Sequence, residues 1–333
     1  MRVYLGSWMG VLCLALWIMP LPASATFSIV ACDPAGNCGV AVATDNLAVG
    51  ATVPYAQART GALVSQFETN PSYGPKGLAL LATGIAPDAV IQRLLDGDGD
   101  FDGTTIAERQ VGIVDASGRS ASYSGDAALA ASWSGARHGE GYAVQGNGLA
   151  GASVLEAMEK RFLAAHGALG ARLMAGLEAA QAAGGQTIGR MSAALLVRTV
   201  DGGWQDIDLR VDGSPEPLTD LRRLLDQHYA WQAIVTAERQ WREGHAADAR
   251  ASMALALQGS HGWDRVWRRG ARLAMSMGDT ERALDCLATF VATDPIWARS
   301  ELQDELYAPL RGNRHFDALL RHAQSGARPV LQP

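Results

Sequence analysis

The chain alternates between blocks of crowded apolar residues and turn-rich breaks, and its periodicity changes twice. Arg2 precedes an apolar run from Val3 to Met19, which is followed by Pro20, Pro22 and the small residues Ala23-Ser24-Ala25. Basic, apolar and small-residue zones in that order predict a secretory signal over residues 1–25 that is removed. The run falls short of the roughly 20 residues that span a bilayer, so a membrane anchor is not expected. Beyond it, residues 27–32 and 38–44 read as short strands buried on both faces, with further strands at 61–66, 110–115, 120–124 and 142–146. Helical spacing appears at 75–82, 87–95, 151–165 and 168–183, the last stopped by Gly184-Gly185. Strands return at 192–199 and 205–211 before Pro215 and Pro217 close the unit. Strands, then helices, then strands predict an α+β domain over 26–217 in which helices cover packed sheets.

From residue 218 to 328 the pattern is wholly helical, with a short tail at 329–333. It also repeats: Gly244-His245-Ala246-Ala247-Asp248-Ala249 aligns with Gly278-Asp279-Thr280-Glu281-Arg282-Ala283 at a spacing of 34. Met253 then matches Leu287, and Leu257 matches Val291. A 34-residue period with glycine at the turn and alanine at the helix contact predicts a tetratricopeptide-like region. Helix pairs of this kind bind peptides or partner proteins, or else complete a core or a dimer contact.

Composition narrows the setting. An exported chain with 48% apolar residues can bury a large core, and export predicts the periplasm. A formal net charge of −6 argues against nucleic acid as a partner. Nearly all the basic charge is arginine, since Lys76 and Lys160 are the only lysines, so no lysine is placed to act as a base. Cys32 and Cys38 flank the turn Asp33-Pro34-Ala35-Gly36-Asn37 and either form a disulfide across a hairpin or pack as two small thiols. Cys286 sits in a helical pattern and reads as packing.

The junction Ala25-Thr26 carries the chemistry. Cleavage there leaves Thr26 first in the chain, with a hydroxyl to attack and an α-amine, titrating near about 8, to take its proton. Cleavage after Ala23 competes with it and would leave Ser24 first. The ordered series Thr26-Phe27-Ser28-Ile29-Val30-Ala31, Gly39-Val40-Ala41-Val42-Ala43, Leu47-Ala48-Val49-Gly50-Ala51 and Thr69-Asn70-Pro71 continues through Arg109-Gln110-Val111-Gly112 and Gln145-Gly146-Asn147. It ends with Gly189-Arg190, Ser192-Ala193-Ala194-Leu195 and Asp208-Leu209-Arg210-Val211-Asp212. This series resembles domain-of-unknown-function family 1028, which is grouped with the Ntn (N-terminal nucleophile) hydrolases. The resemblance implies a four-layer αββα sandwich with the nucleophile at the start of its first strand.

The expected mechanism is attack of Thr26 on an amide of a small or peptide-like substrate, passing through an acyl-enzyme. Asn147 is the candidate oxyanion donor. Gln66, Asn70, Arg109, Gln145, Arg190 and Asp208 are candidate substrate contacts, the arginines as clamps for a carboxylate. Asp45-Asn46 departs from the family pattern before Leu47, and an acid there would hold the terminal ammonium and weaken it as a base. No cofactor is required by this chemistry. Asp98, Asp100 and Asp102 lie at alternate positions of an acidic loop that either forms a solvated turn or holds calcium, although Glu108 falls one residue short of the usual last ligand. The histidines show no metal-ligand spacing, and the glycine-rich stretch 139–151 lacks a phosphate-loop lysine. The alternative reading is a noncatalytic periplasmic binding or scaffold protein that recruits a partner through its helical repeats. A homo-oligomer is expected in either case.

Overall fold

A computed structural model describes residues 25–130 and 132–325. The signal segment up to Ser24 and the tail 329–333 lie outside the described residues. Two antiparallel sheets form the first part of the chain. The larger has six strands in the order β10-β9-β2-β1-β8-β7 and the smaller four in the order β3-β4-β5-β6. In the larger sheet β1 (Thr26–Cys32) is central, between β2 (Cys38–Thr44) and β8 (Tyr142–Leu149). Outside them lie β9 (Ser192–Arg198), β10 (Ile207–Val211) and β7 (Trp133–Gly139). The smaller sheet holds β3 (Pro54–Gln57), β4 (Gly61–Phe67), β5 (Arg109–Asp115) and β6 (Ser120–Ser124).

Strand alternation sends successive side chains to opposite faces, and here each face has its own core. Phe27, Ile29 and Ala31 of β1 pack with Val144 and Leu195 against α4 (Ala152–Ala164) and α5 (Leu169–Ala182). Val30 and Cys32 instead face the smaller sheet, where Val40, Val42, Ala62, Val64 and Val114 fill the space between sheets. The far face of the smaller sheet carries Leu63, Val111 and Ile113 against α1 (Tyr73–Ala82) and α2 (Pro87–Asp96). Helices therefore cover the outer face of each sheet.

Two strands and the short helix α3 (Asp126–Ala130) escape the apolar pattern. β3 is a four-residue edge strand opened by Pro54, a residue that normally marks a break. β7 is also an edge strand, half exposed, with a register shift between Trp133 and Gly135, so its side chains do not alternate.

α6 (Pro217–Arg242) opens with proline in its first turn. Its Leu218, Leu221 and Leu225 join the sheet core, whereas Ala230, Ile234 and Ala237 join a separate helical core. α7 (Ala246–Gly259), α8 (Asp264–Ser276), α9 (Thr280–Thr293), α10 (Pro295–Glu301) and α11 (Arg314–Ser325) complete that core. α7 and α9 start 34 residues apart, each after a glycine at positive φ, Gly244 at 84° and Gly278 at 71°. The matched residues Ala249 and Ala283, Met253 and Leu287, and Leu257 and Val291 are all buried. Cys286 is buried among them, and burial pushes its thiol up to about 12, so it is a packing residue and not a nucleophile. Among the described residues no helix is long and apolar enough to cross a membrane.

Candidate active site

Thr26 opens the central strand at the end of the space between the two sheets, and it is only 4% exposed. Antiparallel register sets Thr44 of β2 and Asn147 of β8 on either side of it. The Thr26 hydroxyl lies 3.0 Å from the Thr44 hydroxyl, and the Thr26 N–H donates to Asn147 Oδ1 at 3.1 Å. Residue 25 is still attached: Thr44 Oγ1 donates to the Ala25 carbonyl at 2.7 Å, and the Ala25 N–H donates to Asp45 Oδ1 at 2.9 Å.

Where the sheets approach beside Thr26, the apolar filling gives way to a chain of buried amides. Its directions follow from two backbone carbonyls, which can only accept. Gln110 Nε2 donates to the Gly146 carbonyl at 3.1 Å, so Gln110 Oε1 faces the other way. That oxygen accepts from Asn147 Nδ2 at 2.9 Å and from Gln66 Nε2 at 2.7 Å. At the other end, Gln145 Nε2 donates to the Ser28 carbonyl at 3.2 Å and to Ser28 Oγ at 2.6 Å. Ser28 Oγ in turn donates to Gln66 Oε1 at 2.5 Å. Both ends thus agree, and Asn147 is left with its oxygen aimed at the Thr26 nitrogen. Gln145 Oε1 alone has no partner and lies over Gly112, where any Cβ would stand 1.8 Å from it.

Asn147 was expected as an oxyanion donor; one N–H of its NH2 group is used by Gln110, and its carbonyl oxygen faces the nitrogen of Thr26. Asp45, expected near the terminal amine, holds the N–H of Ala25 instead.

A cavity of about 310 Å³ opens beside Thr26. Thr26, Thr44, Gln66, Thr52 and Thr69 line it together with Leu47 and Phe67. None of its lining residues is charged. Phe67 has φ 68°, a left-handed conformation costly for a bulky aromatic residue. The segment carrying Leu47 is tied down by Ser192, which donates to the Asn46 carbonyl at 2.6 Å and accepts from the Val49 N–H at 3.0 Å.

Arg109 and Asn70 do not reach this cavity. Arg109 is fully buried and grips Asp98 through Nε at 2.9 Å and Nη2 at 3.1 Å. Its remaining N–H groups bond the carbonyls of Glu68, Phe101 and Thr104 and the Thr104 hydroxyl. Asn70 Nδ2 and the Tyr73 hydroxyl also donate to Asp98, at 3.1 and 2.5 Å. Burial by itself would raise the Asp98 pKa, but the hydrogen bonds from Arg109, Tyr73 and Asn70 and the charge of Arg109 outweigh it and hold it down at about 2. Asp98 of the acidic loop thus serves Arg109 and does not stand with Asp100 and Asp102 as one cluster of carboxylates. Asp98 turns inward to Arg109 while Asp100 and Asp102 are exposed. Among the described residues no three His, Cys, Asp or Glu side chains gather to hold a metal.

Residues 26–221 match a family described as of unknown function, DUF1028. The chain belongs to this family. Its DUF1028 part runs from the first residue of β1 into the first turns of α6, and the helical core lies beyond it. The crystal structure of protein SPO2555 from Silicibacter pomeroyi, described as DUF1028, is similar at 31% identity with a TM-score of 0.55. That similarity covers 62% of this chain and 89% of the other. No curated protein matches.

Within the DUF1028 part, three expected site residues gather beside Thr26: Asn147 in direct contact, and Gln66 and Gln145 through Ser28 and the chain of amides. Arg190 and Asp208 lie elsewhere on the surface, Arg190 paired with Glu216 and Asp208 with Arg198 at 2.8 Å, because each has a nearer opposite charge. Cys32 and Cys38 are joined as a disulfide at the far end of the β1–β2 hairpin. Sequence reasoning missed Thr44, Ser28 and Gln110. The cysteines held the signal for Thr44: a hairpin pairing Cys32 with Cys38 must also pair Thr26 with Thr44.

Proposed function

We propose that the protein is an exported amide hydrolase of the N-terminal nucleophile type, acting once cleavage between Ala25 and Thr26 frees the Thr26 amine. The observation that carries this reading is the Thr26 side chain, at the open end of the intersheet space, with its nitrogen held by a neutral acceptor and its hydroxyl beside Thr44. The family match beginning at Thr26 supports it. So does the layering of helices, sheet, sheet and helices, which suits the αββα sandwich of Ntn hydrolases.

In this mechanism the neutral α-amine takes the proton of Thr26 Oγ as that oxygen attacks an amide carbonyl. Asn147 Oδ1 accepts one amine hydrogen and so orients the lone pair. A neutral acceptor does this without the charge pairing that would weaken the base. Removal of residue 25 takes away the acceptor of the Thr44 hydroxyl, which then serves as a donor to the tetrahedral oxyanion. Collapse breaks the C–N bond as the ammonium gives its proton to the leaving amine; water, giving a proton to the same amine, then attacks the ester, and a second collapse breaks the C–Oγ bond, releases the acid and returns the proton to Thr26 Oγ. The uncharged cavity suits a small neutral amide or a peptide-like acyl group. The helical part, read as tetratricopeptide-like, recruits a peptide or protein partner in the periplasm.

The test begins with the intact mass and N-terminal sequence of protein recovered from its host, where Thr26 is expected first. That material, Thr26→Ser and Thr26→Ala are then assayed against a panel of neutral N-acyl amides. Cleavage is expected from the first two and background turnover from a folded Thr26→Ala protein. A chain beginning at Ser24, or equal turnover by Thr26→Ala, overturns the mechanism and leaves the noncatalytic binding protein.

A further inference from the structure

The outer face of α8 carries a row of arginines that the helical fold does not need. Val266, Gly270, Ala271, Leu273 and Ala274 form the buried side of this helix. Arg265, Arg268, Arg269 and Arg272 follow the spacing i, i+3, i+4, i+7 on the other side, where Arg265 is exposed and the rest are half-buried. Like charges three and four residues apart on a helix repel. Arg265 also stands in the first turn, where the helix dipole disfavours a cation. Helix stability therefore gives no reason for the row.

Neighbouring elements hold three of the four in place. Glu238 of α6 takes Arg269 through Nε and Nη2. Glu301 of α10, its side chain only 4% exposed, takes Arg268 and Arg272, and Arg272 also reaches Asp304 at 2.8 Å. A guanidinium has five N–H donors, and these bonds occupy at most two on any one of the three. The side chain of Arg265 makes no ion pair or hydrogen bond among the described residues. Two indoles stack on the row: Arg269 lies over Trp231 at 4.6 Å, and Arg265 and Arg268 lie over Trp297 at 5.4 and 4.9 Å. Stacking fixes the guanidinium planes and leaves their edges for an anion.

A cavity of about 310 Å³ is lined by these arginines, Glu238 and the two indoles. It adjoins a mostly apolar cavity of about 460 Å³, because Trp231 and Arg265 line both. The second is lined also by Trp204, Leu209, Leu224 and Trp263, with the Trp263 ring 5.3 Å from that of Trp231. Trp204 is 80% exposed, and Gln232 of α6 donates to its carbonyl at 2.9 Å. An exposed indole beside an apolar hollow marks a binding surface.

We infer that the two adjoining cavities dock an acidic peptide in extended form, its carboxylates on the arginine row and a large apolar side chain at one end against Trp231 and Trp263. This rests on the reading of the helical part as a module that recruits a peptide. The spacing agrees with it. One turn of α8 rises about 5.4 Å, and side chains at alternate positions of an extended chain stand about 6.6 Å apart on one side. Carboxylates at alternate positions thus meet successive turns between Arg265 and Arg272, which are about 10.5 Å apart along the helix.

Fluorescence anisotropy on the full chain tests this with a labelled, blocked peptide carrying glutamate at alternate positions beside a terminal phenylalanine, made in both chain orders. Its glutamine and lysine counterparts, and inorganic polyphosphate as competitor, complete the series. The acidic peptide is expected to bind in one order, about tenfold or more tighter than the glutamine form, and to weaken in about 0.5 M sodium chloride as screening predicts. Arg265→Gln removes an exposed side chain that holds no carboxylate, so folding is unaffected, and binding should fall about threefold to fivefold. Unchanged binding in Arg265→Gln overturns the placement. Glutamine or lysine peptides binding as tightly as the acidic one overturn the acidic partner while leaving the helical part as a peptide module. No binding of any peptide at millimolar concentration overturns both readings. Polyphosphate binding more tightly than the peptide would make the row a site for phosphate chains and also refute the proposal.

Discussion

Replacing Gly112 with alanine probes the buried amide chain from a position that touches no substrate. Gly112 is on β5 and its φ is unremarkable, so alanine meets no backbone strain there; what it meets is Gln145. The new Cβ would lie 1.8 Å from Gln145 Oε1 and 2.3 Å from its Cδ, far inside van der Waals contact. Gln145 cannot yield without giving up both of its bonds to Ser28. Overpacking of a close-packed core costs about 1–3 kcal/mol, and the two lost hydrogen bonds add about 1–3 kcal/mol. Gly112→Ala should therefore destabilise the protein by about 2–6 kcal/mol in urea unfolding at constant m. The cause is separable with a double-mutant cycle. Shortening the clashing side chain in Gln145→Ala costs stability by itself, but Gly112→Ala on that background should cost less than about 1 kcal/mol, a near-neutral surface-like change. A loss below about 1 kcal/mol in the single variant, or additive effects in the double variant, would refute the claim that Gln145 packs on Gly112 to hold the chain of amides.

Three further outcomes are expected. Asn147→Asp puts a carboxylate against the Thr26 amine, favours its protonated form, and should move the acid limb of the amide-cleavage pH profile, where activity rises with pH, up by about 1–3 units; an unmoved limb would show that residue 147 does not hold the amine. Asp98, buried and held at about 2 against an ordinary 3.8, contributes about 2 kcal/mol of stability that is present above pH 4 and lost as pH falls toward 2. Arg109→Leu leaves that carboxylate buried without its cation at a cost of about 3–5 kcal/mol, and it should flatten the acid limb, since burial is then offset only by the hydrogen bonds from Tyr73 and Asn70. Urea midpoints at pH 7, 5 and 3 check both outcomes, and an acid limb identical to that of the parent would refute the pairing. Finally, the Cys32–Cys38 bridge closes a short loop of separation 6, so the double serine variant should lose about 2 kcal/mol, with no loss if the parent is measured reduced.

Apolar patterning by itself determined the two central strands, the covering helices, the change to all-helical structure after residue 217 and the 34-residue spacing of α7 and α9. It also singled out Thr26 and, through the cysteine pair, contained the register that sets Thr44 opposite it. These are local properties: a period of two or of 3.6 states which face a residue occupies, and glycine and proline state where a run ends. Neighbours across the fold are another matter. Asn147 meets Thr26 only because β8 pairs with β1 across 121 residues of chain, and its orientation follows from carbonyls on other strands. Arg109 was legible as a candidate clamp for a carboxylate but not as the partner of Asp98, because a guanidinium is held by whatever carboxylate the tertiary structure brings nearest. Sequence thus determined which residues turn toward the space between the sheets, and tertiary structure alone decided what each one meets there, since strand order and helix packing carry no local signature.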